Sequence, residues 1–144
     1  RASPKIISVK ATQDIKDGFT QVYVLVEEEE TDELKEIFGY FTLSSYMLVS
    51  SEVSQELRNY RQKYPTIPAI LLGRLAKNKH QDYLIGSELL FVALRKARKI
   101  SKDLGAAFVV THPKNNVVAE FYLKNGFSML PSQENVLVIN ISNI

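Results

Sequence analysis

The sequence predicts a single α/β (α+β) domain, and three observations lead there. Short runs rich in β-branched and aromatic residues recur along the chain. One long segment repeats its apolar residues every three or four positions. A near-continuous apolar run at 70–76 is followed by a short polar loop and a helix start, the arrangement that presents backbone N–H groups to a phosphate. With 144 residues, 45% hydrophobic and 24% charged, residues 1–144 suit one well-packed domain and are too few for two ordinary ones.

From the N-terminus, Ser3-Pro4 signals a helix start, since serine caps free N–H groups and proline fits the first helical position; Gly18 is the stop. Residues 21–26 and 37–43 read as strands. The acidic run between them, from Glu27 to Glu33, reads as a solvated connection. Ser51 and Glu52 open a weak helix to about Tyr60, and Pro65 and Pro68 bound the next loop. The run 70–76, within a strand placed at 68–77, reads as buried on both faces and central to the sheet. From Gly86, the apolar positions Leu90, Ala93, Ala97, Ile100 and Leu104 make an amphipathic helix that Gly105 ends. Residues 106–110 form another buried strand, Pro113 or Asn116 begins a short helix that Gly126 stops, and 136–141 is a final strand.

Composition removes several function classes. The chain has no cysteine, so disulfides, thiolate nucleophiles and sulfur metal sites are absent. No apolar run approaches the roughly 20 residues of a membrane span, and no signal-peptide pattern is present, so the cytosol is the expected compartment. His80 and His112 lie far apart without carboxylate spacing that suggests a metal, and each reads as a loop histidine. There is neither a Gly-x-Ser-x-Gly elbow nor a Walker-type loop. Charge is unevenly spread: residues 1–57 carry five Lys/Arg against eleven Asp/Glu, whereas 58–124 carry thirteen against four. The basic block contains the strand–loop–helix unit, which suits a polyanionic ligand as well as it suits a solvated helix face.

The motifs that carry chemistry are Gly73-Arg74-Leu75-Ala76-Lys77 at the strand end, Gln81-Asp82-Tyr83-Leu84-Ile85-Gly86-Ser87 in the loop, and Asn115 followed by Phe121-Tyr122-Leu123-Lys124-Asn125-Gly126-Phe127. Over about residues 12–131 they resemble the GNAT superfamily of acetyl-CoA-dependent N-acetyltransferases. The resemblance implies a mixed, mostly antiparallel sheet flanked by helices, with the strand at 68–77 splayed from the strand at 106–111 to form a cofactor cleft. It implies that Leu75, Ala76, Lys77, Gln81, Asp82, Tyr83, Leu84, Ile85, Gly86 and Ser87 hold acetyl-CoA, joined by Asn115 and Lys124. By the same resemblance Tyr122 is the general acid that protonates the departing thiolate; a tyrosine of ordinary pKa near 10 is protonated at neutral pH. No general base stands out, so the amine is expected to lose its proton to water.

More narrowly, Ala11-Thr12-Gln13-Asp14, Gly39-Tyr40-Phe41-Thr42-Leu43-Ser44 and the segment 67–76 resemble the GNAT toxins of bacterial type II toxin–antitoxin modules. That resemblance implies acetylation of the α-amine of aminoacyl-tRNA, a ribbon-helix-helix antitoxin as partner and a homodimer. The cations expected to meet tRNA phosphates are Arg74, Lys79, Arg95, Arg98 and Lys99, with Arg58, Arg61, Lys63 and Lys77 as further candidates. Two features depart from the pattern. The loop keeps only Gly86 of its glycines, with Asp82 and Leu84 in their place, and the family's first strand and helix are not evident before Ala11. The alternatives are therefore a degenerate GNAT fold that acts as a binding or regulatory module, and an ordinary acetyltransferase of a small amine or protein N-terminus.

Overall fold

The computed structural model describes residues 5–11, 20–28, 36–53, 65–81, 84–131, 133 and 135–144. Among these residues seven strands form one sheet: β1 (Ile6–Lys10), β2 (Gln21–Glu27), β3 (Ile37–Val49), β4 (Thr66–Lys77), β5 (Phe108–Thr111), β6 (Ser128–Met129) and β7 (Leu137–Asn140). Their spatial order is β1-β2-β3-β4-β5-β7-β6. Only the β4–β5 pair is parallel, and the other neighbours are antiparallel. Helix α1 (Gly86–Leu104) crosses from β4 to β5, and α2 (Asn116–Lys124) follows β5. The mixed, mostly antiparallel sheet is the one expected from the sequence.

Both helices cover the same face of the sheet. Leu89, Leu90, Ala93, Leu94 and Ala97 of α1 and Tyr122 of α2 share one apolar cluster with Tyr23, Leu25, Phe41, Leu43, Ile70, Leu72, Val109, Leu137 and Ile139. The opposite face is closed by a smaller cluster of Leu48, Val53, Ile67, Ala69, Phe108, Val110, Leu130, Val136 and Val138. Side chains alternate between the two clusters along β4, β5 and β7, which is why these strands read as unbroken apolar runs. Gly105, at φ 79°, ends α1 in a backbone that other residues rarely adopt.

Several elements differ from the sequence expectation, among them the short strand β6, which the sequence does not signal. Residues 6–10 are a strand and not part of a helix: Ile6, Ile7 and Val9 are β-branched, and the segment pairs with β2 from Ile6↔Glu27 to Lys10↔Tyr23. Pairing therefore overrides the start signal at Ser3-Pro4; residues 12–18 of the expected helix lie outside the described residues. Strand β3 continues past Leu43 to Val49 because β4 pairs with it from Thr66 onward. Pro68 lies inside β4 without harm, since its C=O accepts from Ala107 N–H (2.9 Å) on the β5 side, so its missing N–H also falls on that side and not in the β3 ladder. Of the weak helix expected after Ser51, a 3-10 turn at Ser50–Glu52 is seen, and 54–60 lie outside the described residues.

The β3–β4 ladder contains a bulge. Register passes from Leu43↔Leu72 to Phe41↔Leu75, so Thr42 faces both Gly73 and Arg74. The Arg74 N–H, displaced from the ladder, donates to Thr42 Oγ1 at 2.9 Å. A Cβ at Gly73 would stand 2.8 Å from that same oxygen. Gly73→Ala should therefore cost the Arg74–Thr42 hydrogen bond and destabilise the protein by about 1–2 kcal/mol. In a Thr42→Ala background the same substitution should cost much less, and a double-mutant cycle in urea measures that coupling.

Candidate functional site

Strands β4 and β5 run parallel and pair at Ala69↔Phe108, Ile70↔Val109 and Leu71↔Val110, and then part. The Thr111 hydroxyl donates to Leu72 O (3.1 Å) as the last link between them. Beyond it opens a cleft of about 520 Å³, with Tyr40, Gly73, Arg74, Leu75 and Ala76 on one side and Thr111, His112, Pro113, Lys114, Val118 and Tyr122 on the other.

The bulge decides which backbone groups face this cleft. Along a strand the amide groups of alternate residues point to alternate edges. Before the bulge Leu72 presents its carbonyl to the β5 side. After it, the Arg74 and Asn78 N–H groups both bond toward β3, to Thr42 Oγ1 and to Phe38 O. Alternation then gives the open edge to Leu75 and Lys77, while Ala76 turns its carbonyl toward β3, where a Cβ on Gly39 would come within 2.7 Å of it. Of the three strand-end residues named from sequence, two thus offer backbone donors and acceptors to the cleft and Ala76 offers its side chain.

Tyr122 sits in the cleft wall with 5% of its surface exposed. Asn115 starts the helix that carries it, its Oδ1 accepting from Val118 N–H (2.9 Å) as an N-cap. The Tyr122 ring is held edge-on between Phe121 and Phe127, at 5.3 and 5.1 Å between centroids. Burial pushes its phenol above the ordinary tyrosine value, and a hydrogen bond with the Thr111 side chain works the other way. The group is neutral and a proton donor at physiological pH. Sequence alone does not single out Thr111 or Tyr40 as site residues, and His112, read as a loop histidine, lines the cleft with its ring edge-on to Tyr46 (5.5 Å). The only sequence signal for Thr111 is a polar residue directly after the buried Phe108-Val109-Val110 run.

The loop before α1 is stapled by one buried glutamine. Gln81 Nε2 donates to Leu84 O (3.0 Å) and Asn78 O (3.3 Å), and its Oε1 accepts from Leu84 N–H (2.8 Å). The Leu84 side chain is buried in the helix-side core, so it does not stand over the helix start. Ile85 N–H donates to Glu88 Oε1 (3.1 Å), half of a capping box. The first-turn N–H groups of Gly86, Ser87 and Glu88 are those an α-helix leaves without an internal partner. A Cβ on Gly86 would stand 3.5 Å from Phe121, which sets the last turn of α2, with Lys124, beside the first turn of α1. Asp82 and Tyr83 lie outside the described residues.

The cations named for nucleic acid separate in space. Arg95, Arg98 and Lys99 gather with Lys96 and Lys102 along a groove of about 810 Å³ between α1 and Ile6, Ile7 and Ser8 of β1. Phe91 is exposed beside them with the Arg95 guanidinium 5.7 Å from its ring centre. Arg74 lies in the cleft, Lys77 at the strand end and Lys79 in the turn that follows; Arg58, Arg61 and Lys63 lie outside the described residues. Among the described residues no cluster of three or more His, Cys, Asp or Glu side chains is arranged to hold a metal, and no helix is long and apolar enough to cross a membrane.

A mixed sheet, with seven strands and two helices among the described residues, opened between a parallel pair and followed by a helix N-terminus, is the GNAT fold. No protein-family profile and no curated protein matches the chain. Among solved structures it is similar to the GNAT-fold toxins KacT and AtaT of toxin–antitoxin modules. A tyrosine-to-phenylalanine mutant of KacT is 25% identical over 87% of this chain and 73% of that one, with a TM-score of 0.73. AtaT in complex with acetyl-methionyl-tRNA is 22% identical over 90% and 76%, with a TM-score of 0.74. A structure described only as a bacterial toxin is 16% identical over 97% and 93%, with a TM-score of 0.76.

Burial raises the phenols of both Tyr23 and Tyr122. A group whose folded pKa exceeds its unfolded value stabilises the fold fully below the unfolded pKa and ceases to do so as pH rises through the folded one. Unfolding free energy should therefore fall as pH climbs above about 10. Urea denaturation at stepped alkaline pH should show a shallower fall for Tyr122→Phe than for the wild type.

Proposed function

We propose that the chain is an acetyl-CoA-dependent N-acetyltransferase whose acceptor is a primary amine, the α-amine of an aminoacyl-tRNA. The observation that carries this reading is the β4–β5 opening, which has an unpaired strand edge on one wall and a buried neutral phenol on the other. Leu75 and Lys77 extend that edge to the amides of the pantetheine arm, as a strand receives another strand. Asn115 keeps its side-chain N–H groups for the arm because only its Oδ1 is used in capping. The diphosphate lies at the N–H groups of Gly86 and Ser87 with Ile85 beside them, favoured by the helix dipole, and Lys124 adds a positive charge. Gln81 and Leu84 act indirectly, by fixing the loop.

Tyr122 donates its phenolic proton to the departing sulfur as the amine nitrogen bonds to the acetyl carbon and the carbon–sulfur bond breaks; the amine's proton passes to water. The acceptor assignment is supported by the groove of Arg95, Lys96, Arg98, Lys99 and Lys102, by Arg74 in the separate cleft, and by likeness to AtaT, which has been captured with acetyl-methionyl-tRNA and, as AtaTR, with acetyl-CoA; Lys79 lies in the turn after β4. The reading carries with it a cytosolic setting, a homodimer and a ribbon-helix-helix antitoxin; KacTA and the antitoxin AtaR complexed with AtaT are the corresponding assemblies of similar proteins. One observation favours the alternative of a non-catalytic GNAT module: the Leu84 and Ile85 N–H groups are already bonded within the chain, and the Glu88 carboxylate stands at the helix start.

Calorimetric titration separates the two. Acetyl-CoA should bind in the micromolar range, and no heat at millimolar cofactor would remove the enzyme. Tyr122→Phe should keep that affinity and lower turnover by about 10²-fold, measured as transfer of labelled acetyl to aminoacyl-tRNA. For the acceptor, removing Arg95 or Lys99 should weaken tRNA binding and reduce the slope of log affinity against log salt by about 1 for each phosphate left without its cation. A flat salt dependence would point to a small amine instead.

A further inference from the structure

Strand β1 lies at one edge of the sheet, and its hydrogen bonds to β2 fix which of its backbone groups face outward. Lys5 O accepts from Glu28 N–H at 2.7 Å, and Ala11 N–H donates to Val22 O at 2.8 Å. Bonded and non-bonded residues alternate along an antiparallel pair, so Lys5, Ile7, Val9 and Ala11 turn their N–H and C=O groups to β2. Ile6, Ser8 and Lys10 therefore turn theirs away from it, and among the described residues no strand receives them. Such a row is a template for one more strand.

The same edge forms one wall of the groove whose other wall is α1. Ile6 packs toward the helix-side cluster, so Ser8 and Lys10 share that face of β1. On the opposite wall Arg95, Arg98, Lys99 and Lys102 recur at helical spacing, a row about 10 Å long at ~1.5 Å per residue. Arg98 donates to Ile144 O (2.6 Å), whereas Lys99 and Lys102 have no partner among the described residues. A nucleic acid satisfies these cations but not the edge, because its sugar–phosphate backbone carries no N–H for the Ile6, Ser8 and Lys10 carbonyls. A polypeptide strand supplies donors and acceptors in alternation, and its same-face side chains recur every ~6.7 Å, so two carboxylates two positions apart fit within the row.

We propose that the β1 edge and the α1 cations form one docking site for an extended acidic segment of a partner protein, added to the sheet beside β1 with alternate carboxylates directed at Arg95, Lys99 and Lys102. Main-chain bonds to Ile6, Ser8 and Lys10 hold the segment, and the cations select it. A second copy of this chain lacks that complementarity, because symmetric pairing of β1 with β1 brings two cation rows together. The bound segment occupies the cations that tRNA needs and therefore excludes it; this inhibitory consequence rests on the reading of the groove as the tRNA contact.

The test uses a synthetic peptide of about eight residues that alternates Glu and Val. A block peptide of the same composition, its glutamates contiguous, is the control for charge alone. Fluorescence anisotropy with the full chain should give a micromolar affinity for the alternating peptide and binding about tenfold weaker for the block peptide. Ser8→Pro removes an outward N–H, which an edge strand tolerates, and should weaken the alternating peptide about tenfold, whereas Ser8→Ala keeps the N–H and should bind as the wild type does. Circular dichroism checks that both variants fold. Where the proline variant does not, the wild-type chain is titrated with peptides N-methylated on one alternate set of residues or the other; one set should abolish binding and the other leave it. Equal affinity for the block peptide, unchanged binding to a folded Ser8→Pro, or indifference to both methylations overturns the docking site. Loss of self-association in Ser8→Pro with peptide binding intact overturns it in favour of a second copy, and tRNA binding without peptide binding overturns it in favour of nucleic acid. A peptide that binds through the β1 edge but does not displace tRNA upholds the docking site and removes the reading of the groove as the tRNA contact instead.

Discussion

The bulge opposite Thr42 is the constraint from which the site follows. One residue of β3 faces two of β4, and this changes the phase of β4 by a single residue. Before the change, Leu72 presents its carbonyl to β5; after it, Leu75 and Lys77 take over that edge. β5 pairs with β4 only as far as Leu71↔Val110, so those amides are left without a neighbouring strand. A regular ladder would leave β5 to continue along β4, and no unpaired edge would exist in the middle of the sheet. Gly73 and Thr42 are the means: the glycine leaves room for the hydroxyl, and the hydroxyl receives the one N–H that the bulge displaces.

A gap between two strands at the centre of a sheet is a place where backbone polar groups face neither water nor protein fully, and each must be matched. Thr111 matches the first of them, at Leu72. The aromatic trio Phe121, Tyr122 and Phe127 closes the floor on the helix side while leaving one hydroxyl toward the gap. Burial that keeps this phenol neutral is therefore a by-product of packing the same residues that stabilise α2 against β7. One side chain at 5% exposure thus both packs the floor and keeps a hydroxyl at the gap.

Much of this is legible in the sequence, for reasons that are local. The period of α1 and its end at Gly105 are properties of short windows, and the structure reproduces them; of the apolar run in β4 only the first part is buried, since Gly73 and Arg74 are exposed and Leu75 and Ala76 half-buried where the cleft opens. The motif around Tyr122 places its helix correctly because helix, tyrosine and terminating glycine lie within a few residues. The N-terminal strand reads as a helix because the start signal at Ser3-Pro4 is also local, and the β2 pairing that outweighs it is not. Thr42, Gly73 and Thr111 carry no such signal for a different reason. Each acts through a partner 31 to 39 residues away in sequence, as Gly73 and Arg74 with Thr42 and Thr111 with Leu72 show. Gln81 lies within reach of sequence reading, yet its role there is ligand binding, since a motif residue that staples its own loop looks the same as one that touches a phosphate.

Charge completes the division of labour. The start of α1 leaves its first-turn N–H groups without an internal partner and also holds the Glu88 carboxylate, which accepts from Ile85 N–H. The last three turns of the same helix carry five cations without an ion pair to any described acidic residue. A helix dipole alone accounts for positive charge in the final turn, at Lys102, but its influence fades within that turn. It does not account for Arg95 and Lys96 two turns earlier, nor for an exposed Phe91 beneath a guanidinium. Of these five, Arg98 donates to Ile144 O (2.6 Å) and Lys96 stands 5.2 Å from the Tyr23 ring centre. The two ends of α1 thus differ in kind: backbone N–H groups with the Glu88 carboxylate at the N-terminus, and a row of five side-chain cations along the groove with β1.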